Sequence, residues 1–197
     1  MKRKAGKIHR IIGLDFDGVF FDHSENKLKL VREFGADITL ADTASDLFPR
    51  KLKTLLAPAA IEELKARLYD DPSIALKASL ISGAEEGMAF IKENGWPYYI
   101  ISRRKSTVIP AELLKRYGLW PKYFGSRNVF FVDKDADKDA KAVAFGVNTF
   151  LDDKPSVLDA LQSVASKFLF DPMRAYNEYN GEYKKVHSWG EFIDCLH

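Results

Sequence analysis

Two carboxylates at the end of an apolar run are the clearest chemical feature of this sequence. Residues 11–21 read IIGLDFDGVFF, so the apolar run leads directly into Asp15 and Asp17, and Gly18 follows. A turn that begins with an aspartate accounts for one of the two acids but not for both. The carboxyl ends of parallel strands form the ligand crevice of an open sheet. We therefore expect Asp15 and Asp17 to face a functional site, where Gly18 lets the backbone approach a ligand.

Two further apolar runs also end in polar residues. Ser102 follows the run YYII and precedes Arg103 and two more basic residues, which together could bind an anion. Asp152 and Asp153 follow the run TFL. Adjacent buried carboxylates repel each other unless a cation compensates them. Because Mg²⁺ prefers a few oxygen ligands together with water and phosphate, these positions indicate a magnesium site.

The elements that would position these residues alternate between strands and helices. Apolar runs at 11–14, 98–101, 129–132 and 149–151, with a weaker one at 167–170, are typical of buried strands. Helical patterns lie between them, at 83–94, at 111–117 after Pro110, and from Pro155 to about residue 166. This alternation predicts an α/β fold with a parallel sheet. Residues 22–82 contain helical patterns at 47–56 and 61–69 without a convincing strand, so we interpret them as a helical insertion.

Composition places the chain among ordinary globular proteins. Its 197 residues are 46% hydrophobic and 29% charged, which excludes disordered, collagen-like and coiled-coil chains. The net charge of +2 gives no reason to expect a nucleic-acid polymer or a membrane as partner. Cys195 is the only cysteine, and the basic segment at residues 1–10 runs into Asp15 and Asp17 rather than into an apolar signal region. These features predict a cytoplasmic protein.

The order of these motifs resembles the haloacid dehalogenase superfamily of phosphatases. The sequence DFDGV at residues 15–19, then Ser102, Lys138 and the acidic pair 152–153 follow that family's pattern along the chain. The resemblance implies a Rossmann-like parallel sheet flanked by helices, built from residues 1–21 and 83–197. It also implies a small helical cap formed by residues 22–82.

The resemblance also implies a role for each motif residue. Asp15 would attack phosphorus and form an aspartyl phosphate, and Asp17 would protonate the leaving group and then activate water. Mg²⁺ would be bound by Asp15, by the backbone carbonyl of Asp17, and by one or both of Asp152 and Asp153.

Phosphate would be bound by Ser102, Arg103 and Lys138. We choose Lys138 over Lys134 and Lys141 because it precedes the helix predicted to end near residue 146, as the family's lysine does. His23 lies close to the first motif and is a further candidate for substrate contact.

The resemblance implies a small phosphorylated metabolite as the substrate, and the C-terminal sequence favours a nucleotide. The segments LFDPMRAYNEY and KKVHSWGEFIDCL resemble the 5'(3')-deoxyribonucleotidase-like branch, with three extra residues between Pro172 and Tyr176. Hydrolysis of a sugar phosphate by the same residues is one alternative. A catalytically weak protein that keeps the fold for binding is another, although all the charged site positions are present. The sequence does not predict an oligomeric state.

Overall fold

Six parallel strands form the central sheet of the protein. The structure is a computed structural model that describes residues 9–197, so most of the basic segment at residues 1–10 lies outside the described residues. The strands are β1 (Ile12–Leu14), β4 (Tyr98–Arg103), β5 (Val129–Val132), β6 (Thr149–Asp152), β7 (Ser166–Phe170) and β8 (Lys184–Val186). Their order across the sheet is β5-β4-β1-β6-β7-β8. β1 therefore lies between β4 and β6, with Leu14 in register with Ile100 and Leu151.

Helices cover both faces of this sheet. They are α5 (Ala84–Glu93), α6 (Val108–Arg116), α7 (Asp137–Phe145), α8 (Pro155–Ala160) and α9 (Trp189–Asp194). Successive strand residues point to opposite faces, and accordingly Ile100 packs in the cluster that contains Met88 from α5, while Ile101 packs in the cluster that contains Ala142 from α7. The predicted α/β sheet flanked by helices is confirmed.

Residues 22–82 contain four helices with their own apolar cluster. These are α1 (Ser24–Glu33), α2 (Leu47–Leu55), α3 (Pro58–Asp70) and α4 (Pro72–Ala75), with a short 3-10 helix at Ala41–Thr43. Leu30, Leu52 and Leu64 are fully or almost fully buried in a cluster made by this segment. The division of the chain into a core and a cap stays a prediction.

The prediction that residues 22–82 contain no strand is wrong. β2 (Phe21–Asp22) pairs antiparallel with β3 (Ser79–Leu80) where the chain leaves and re-enters the main sheet region. Each strand has two residues, too few for the alternating pattern that reveals a strand in a sequence. The pair brings the two ends of the 22–82 segment together.

Several helix boundaries also differ from the sequence expectation, among them those of α6 and α8. α6 begins at Val108 rather than after Pro110. Backbone N–H groups in the first turn of a helix have no partner within the helix, so Pro110 can occupy that turn without loss of a helical hydrogen bond. α8 ends at Ala160 rather than near residue 166, and Ser166 already belongs to β7. Within residues 9–197, no helix is long and apolar enough to cross a membrane.

Candidate active site

The turn after β1 places Asp15 at the carboxyl edge of the sheet, between two neighbouring strands. Asp15 is buried, and its backbone N–H donates to the carbonyl of Leu151 in β6 at 2.9 Å. Gly18 follows with a φ of +77°, in the left-handed region that glycine adopts without strain. A β-carbon on Gly18 would lie 1.8 Å from Oδ2 of Asp153. The turn therefore brings the first motif directly against the acidic pair.

Three carboxylates meet at this edge. Asp15, Asp152 and Asp153 are all buried, and each has a carboxylate oxygen within 4.8 Å of one from each of the other two. Burial, with the charge of Asp15 nearby, raises the pKa of Asp152 to about 8 and that of Asp153 to about 7. Oδ1 of Asp153 is buried without a hydrogen-bond partner among residues 9–197. A hard divalent cation such as Mg²⁺ fits this all-oxygen cluster.

Lys138 lies inside the same cluster. Its Nζ donates to Oδ1 of Asp15 and to Oδ2 of Asp152, both at 2.7 Å, and the side chain is 1% exposed. Burial alone would lower the pKa of this ammonium group, but the two carboxylates outweigh it and raise the pKa far above its usual range. Lys141 lies instead over the ring of Phe130, at 5.5 Å from the centroid. Of the lysines weighed from the sequence, the structure brings Lys138 to Asp15.

Strand β4 and the residue after it supply Ser102 and two arginines, Arg103 and Arg104, that point in different directions. Ser102 is buried in β4, in register with Phe131 of β5. The side chain of Arg103 is 53% exposed and pairs with Asp135 at 3.5 Å, so the structure does not bring it to the carboxylate cluster. Arg104 is the buried one, and it reaches Asp17. Arg104 lies two positions after Ser102, and the alternation of side chains along an extended chain places such positions on the same side, which is the sequence signal that indicates Arg104 rather than Arg103.

Asp17 is bound by Arg104 and His23 rather than by the carboxylate cluster. Arg104 donates from Nε to Oδ2 at 2.7 Å and from Nη2 to Oδ1 at 2.6 Å, and Nε2 of His23 lies 2.9 Å from Oδ1. Burial alone would raise the pKa of Asp17, but Arg104 and His23 outweigh it and hold this pKa well below its usual range. The Asp17 carboxylate is therefore ionised in this arrangement.

A cavity of about 330 Å³ opens beside these residues, between the 22–82 segment and the sheet. Asp17 and Asp153 line it from the motif side, and His23, just before α1, and Lys27, in α1, line it from the 22–82 segment. Ser45 donates a hydrogen bond to Oδ2 of Asp153, which ties the 22–82 segment to the cluster. The lining also includes residues of the C-terminal segment, namely Phe170, Asp171, Pro172, Met173 and Tyr176.

The C-terminal segment is fixed by buried polar contacts. Both carboxylate oxygens of Asp171 accept backbone N–H bonds, from Ala175 at 2.8 Å and from Tyr176 at 3.0 Å. The Tyr176 hydroxyl in turn accepts from the N–H of Asp46 at 2.8 Å. Trp189 and Phe192 are fully buried in the core.

Comparison with known proteins gives a consistent fold. No protein-family model matches the sequence, and the search of curated proteins found no significant match. Solved structures do match. A haloacid dehalogenase family hydrolase from Deinococcus radiodurans R1, with bound phosphate and sodium, is similar with a TM-score of 0.65 at 16% identity over 95% of each chain.

Two other similar structures carry more specific descriptions. A predicted phosphoglycolate phosphatase from Haemophilus somnus 129PT has a TM-score of 0.63 at 12% identity, over 96% of this chain and 98% of its own. A candidate beta-phosphoglucomutase from Bacteroides vulgatus has a TM-score of 0.59 at 18% identity, over 95% of this chain and 87% of its own. The chain thus has the fold of the haloacid dehalogenase-like hydrolases, with a buried aspartate cluster at the carboxyl edge of its sheet.

Proposed function

We propose that the protein is a Mg²⁺-dependent phosphomonoesterase in which Asp15 forms an aspartyl phosphate. The observation that supports this most is the position of Lys138, which contacts both Asp15 and Asp152 inside a three-carboxylate cluster beside a cavity. A buried nucleophile with a cation and a metal site next to it is what phosphoryl transfer requires.

Asp15 is the nucleophile because it heads the motif and contacts Lys138. Its carboxylate attacks phosphorus, the bond to the leaving oxygen breaks, and water then hydrolyses the aspartyl phosphate. Lys138 and Ser102 stabilise the charge that develops on the phosphoryl oxygens. Bound Mg²⁺, held by Asp15, the Asp17 carbonyl, Asp152 and Asp153, would supply positive charge at the phosphate.

Asp17 serves as acid and then as base. In the structure it is ionised by its contact with Arg104, which is the form needed to activate water in the second step. For the first step, the negative charge of the bound phosphate raises the pKa of Asp17 and allows it to hold the proton that the leaving oxygen needs.

The leaving group occupies the cavity, and we propose a nucleoside monophosphate as the substrate. The support is that Asp171 and Tyr176, from the segment that resembles the nucleotidase branch, line this cavity. A sugar phosphate is the second candidate, because hydroxyl side chains from Ser24, Thr43 and Ser45 line the same space and could bind sugar hydroxyls.

We also propose that the protein acts in a reducing compartment such as the cytoplasm, because its single cysteine, Cys195, is free.

The test measures hydrolysis of p-nitrophenyl phosphate with Mg²⁺ and with a chelator. We expect turnover with the metal, none with the chelator, and none from Asp15→Asn, which keeps the side-chain size but removes the nucleophile. An inactive wild-type protein would instead favour the binding-protein alternative. A panel of nucleoside monophosphates and sugar phosphates then decides between the two substrate classes by kcat/KM.

A further inference from the structure

Arg104 contacts more of the candidate site than neutralising the charge of Asp17 would require. Its guanidinium group is buried and binds both oxygens of Asp17 through two parallel hydrogen bonds of 2.7 and 2.6 Å. Two-point binding between planar groups fixes orientation as well as charge. The Asp17 carboxylate can therefore rotate only if this pair is broken.

The same guanidinium group also binds the 22–82 segment. Nη1 of Arg104 donates to the backbone carbonyl of Tyr69 at 3.0 Å, and the guanidinium carbon lies 4.8 Å from the centre of the Tyr69 ring. Tyr69 is in the last turn of α3, where carbonyl groups lack partners within the helix and favour a positive charge. The side chain that follows β4 thus joins the end of α3 to Asp17.

A second contact closes this arrangement from the other side. His23, just before α1, approaches Asp17 at 2.9 Å, and its ring packs edge-on against Tyr69 at 5.6 Å. Asp17 is consequently bound by one group from the sheet and one from the 22–82 segment, and both of those groups touch Tyr69.

We propose that Arg104 is a positioning residue that couples the placement of the 22–82 segment to the orientation of Asp17. Arg104 bound to the carbonyl of Tyr69 holds the Asp17 carboxylate in one orientation, whereas Arg104 without that contact is free to move with Asp17. The catalytic part of this proposal rests on the proposed function. Its structural part, the link from Asp17 through Arg104 to α3, does not.

A double-mutant cycle tests the catalytic part. Arg104→Met and Asp17→Asn are made singly and together, and kcat and KM are measured on an alkyl phosphate, whose leaving group needs a proton. We expect Arg104→Met to lower kcat roughly 100-fold with little change in KM, as misplacement of a catalytic group does. In the Asp17→Asn background, the same substitution should lower kcat by no more than roughly twofold, because residues that act as a unit are not additive.

The matched control is Arg116→Met. Arg116 also joins the sheet region to the 22–82 segment, through a bond of 2.7 Å from Nη1 to the carbonyl of Leu76, and it does not contact Asp17. We expect its kcat to stay near that of the wild type. Equal losses in Arg104→Met and Arg116→Met, or an undiminished loss in the Asp17→Asn background, would overturn the proposal. If Arg104→Met does not fold, Arg104→Lys replaces it in the cycle, because lysine keeps the charge without the two-point contact.

Amide hydrogen exchange tests the structural part of the proposal and requires no measurement of activity. Both Arg104→Met and Asp17→Asn should reduce amide protection in the last turn of α3, since each removes one end of the link, while Arg116→Met should not. Unchanged protection in both variants contradicts the link itself. A wild-type protein without phosphatase activity refutes the proposed function, and in that case the exchange result still decides the link.

Discussion

At the scale of single residues, Gly18 is the position of the candidate site where we expect a substitution to be most disruptive. It combines a φ of +77° with a hypothetical β-carbon position only 1.8 Å from Oδ2 of Asp153. We predict that Gly18→Ala displaces the Asp153 carboxylate, raises the Mg²⁺ concentration needed for half-maximal activity and lowers kcat. The measurement is a Mg²⁺ titration of p-nitrophenyl phosphate hydrolysis.

Gly35 provides a matched control for backbone strain. It has the same φ of +77°, but a β-carbon there would meet nothing within 4 Å. Gly35→Ala should therefore cost about 1–2 kcal/mol of stability from the left-handed conformation alone and leave the Mg²⁺ titration unchanged. A Gly18→Ala protein with the same Mg²⁺ titration as the wild type would show that the close approach to Asp153 does not matter.

The sequence positions of the three clustered aspartates could be predicted because each one directly follows a predicted strand. Asp15, Asp152 and Asp153 each follow an apolar run, and neighbouring parallel strands bring such positions together. Arg104 was missed because two adjacent arginines look equivalent in a sequence. Only the alternation of side chains from the end of β4 to the next residue separates them, because it turns Arg104 toward Asp17 and Arg103 toward Asp135.

At the scale of elements, α9 supports the turn after β1 from a distant part of the chain. Nε1 of Trp189 donates to the backbone carbonyl of Val19 at 2.9 Å, and the indole is fully buried. We predict that Trp189→Phe costs about 1–3 kcal/mol, because it leaves a buried carbonyl without its donor. Chemical unfolding measures this free energy. Trp96→Phe, at a partly buried tryptophan, is the comparison and should cost less; equal costs would contradict the role of the hydrogen bond.

Two physical causes explain why sequence patterns did not reveal β8, β2 and β3. β8 carries two lysines, Lys184 and Lys185, at the edge of the sheet, so it lacks the apolar run of a central strand. β2 and β3 pair across nearly sixty residues and have no pattern of their own. In contrast, β5 matched its predicted limits at both ends because its run VFFV contains only apolar residues.

At the scale of the whole molecule, the buried carboxylates make stability depend on pH. Burial raises the pKa of Asp152 to about 8 and that of Asp153 to about 7 in the folded protein, against an ordinary value of 3.8. Between about pH 4 and pH 8 the folded state therefore holds more protons than the unfolded state, and stability falls as pH rises. The lowered pKa of Asp17 acts in the opposite direction, but below this range.

We predict that the melting temperature in chelator falls across this range. Mg²⁺ should raise it more at about pH 8 than at about pH 5, because the metal replaces the protons on these carboxylates. Thermal melts with and without Mg²⁺ measure both effects. A melting temperature in chelator that rises through the range would contradict the raised pKa of Asp152 and Asp153. A Mg²⁺ effect that is larger at the acidic end would contradict the assignment of the cluster as a metal site.

The central claim is that Asp15 becomes phosphorylated, and one measurement addresses it directly. Asp17→Asn is mixed with p-nitrophenyl phosphate and Mg²⁺, followed on the millisecond scale, quenched in acid and digested for mass spectrometry. Nitrophenolate leaves without needing a proton, so Asp15 can still attack, while hydrolysis of the aspartyl phosphate lacks its base. We predict a burst of nitrophenolate, slow turnover, and one phosphoryl group on the peptide that contains Asp15. The Asp15→Asn protein should show none of these. Turnover without a burst, or a phosphoryl group on another residue, would contradict the central claim.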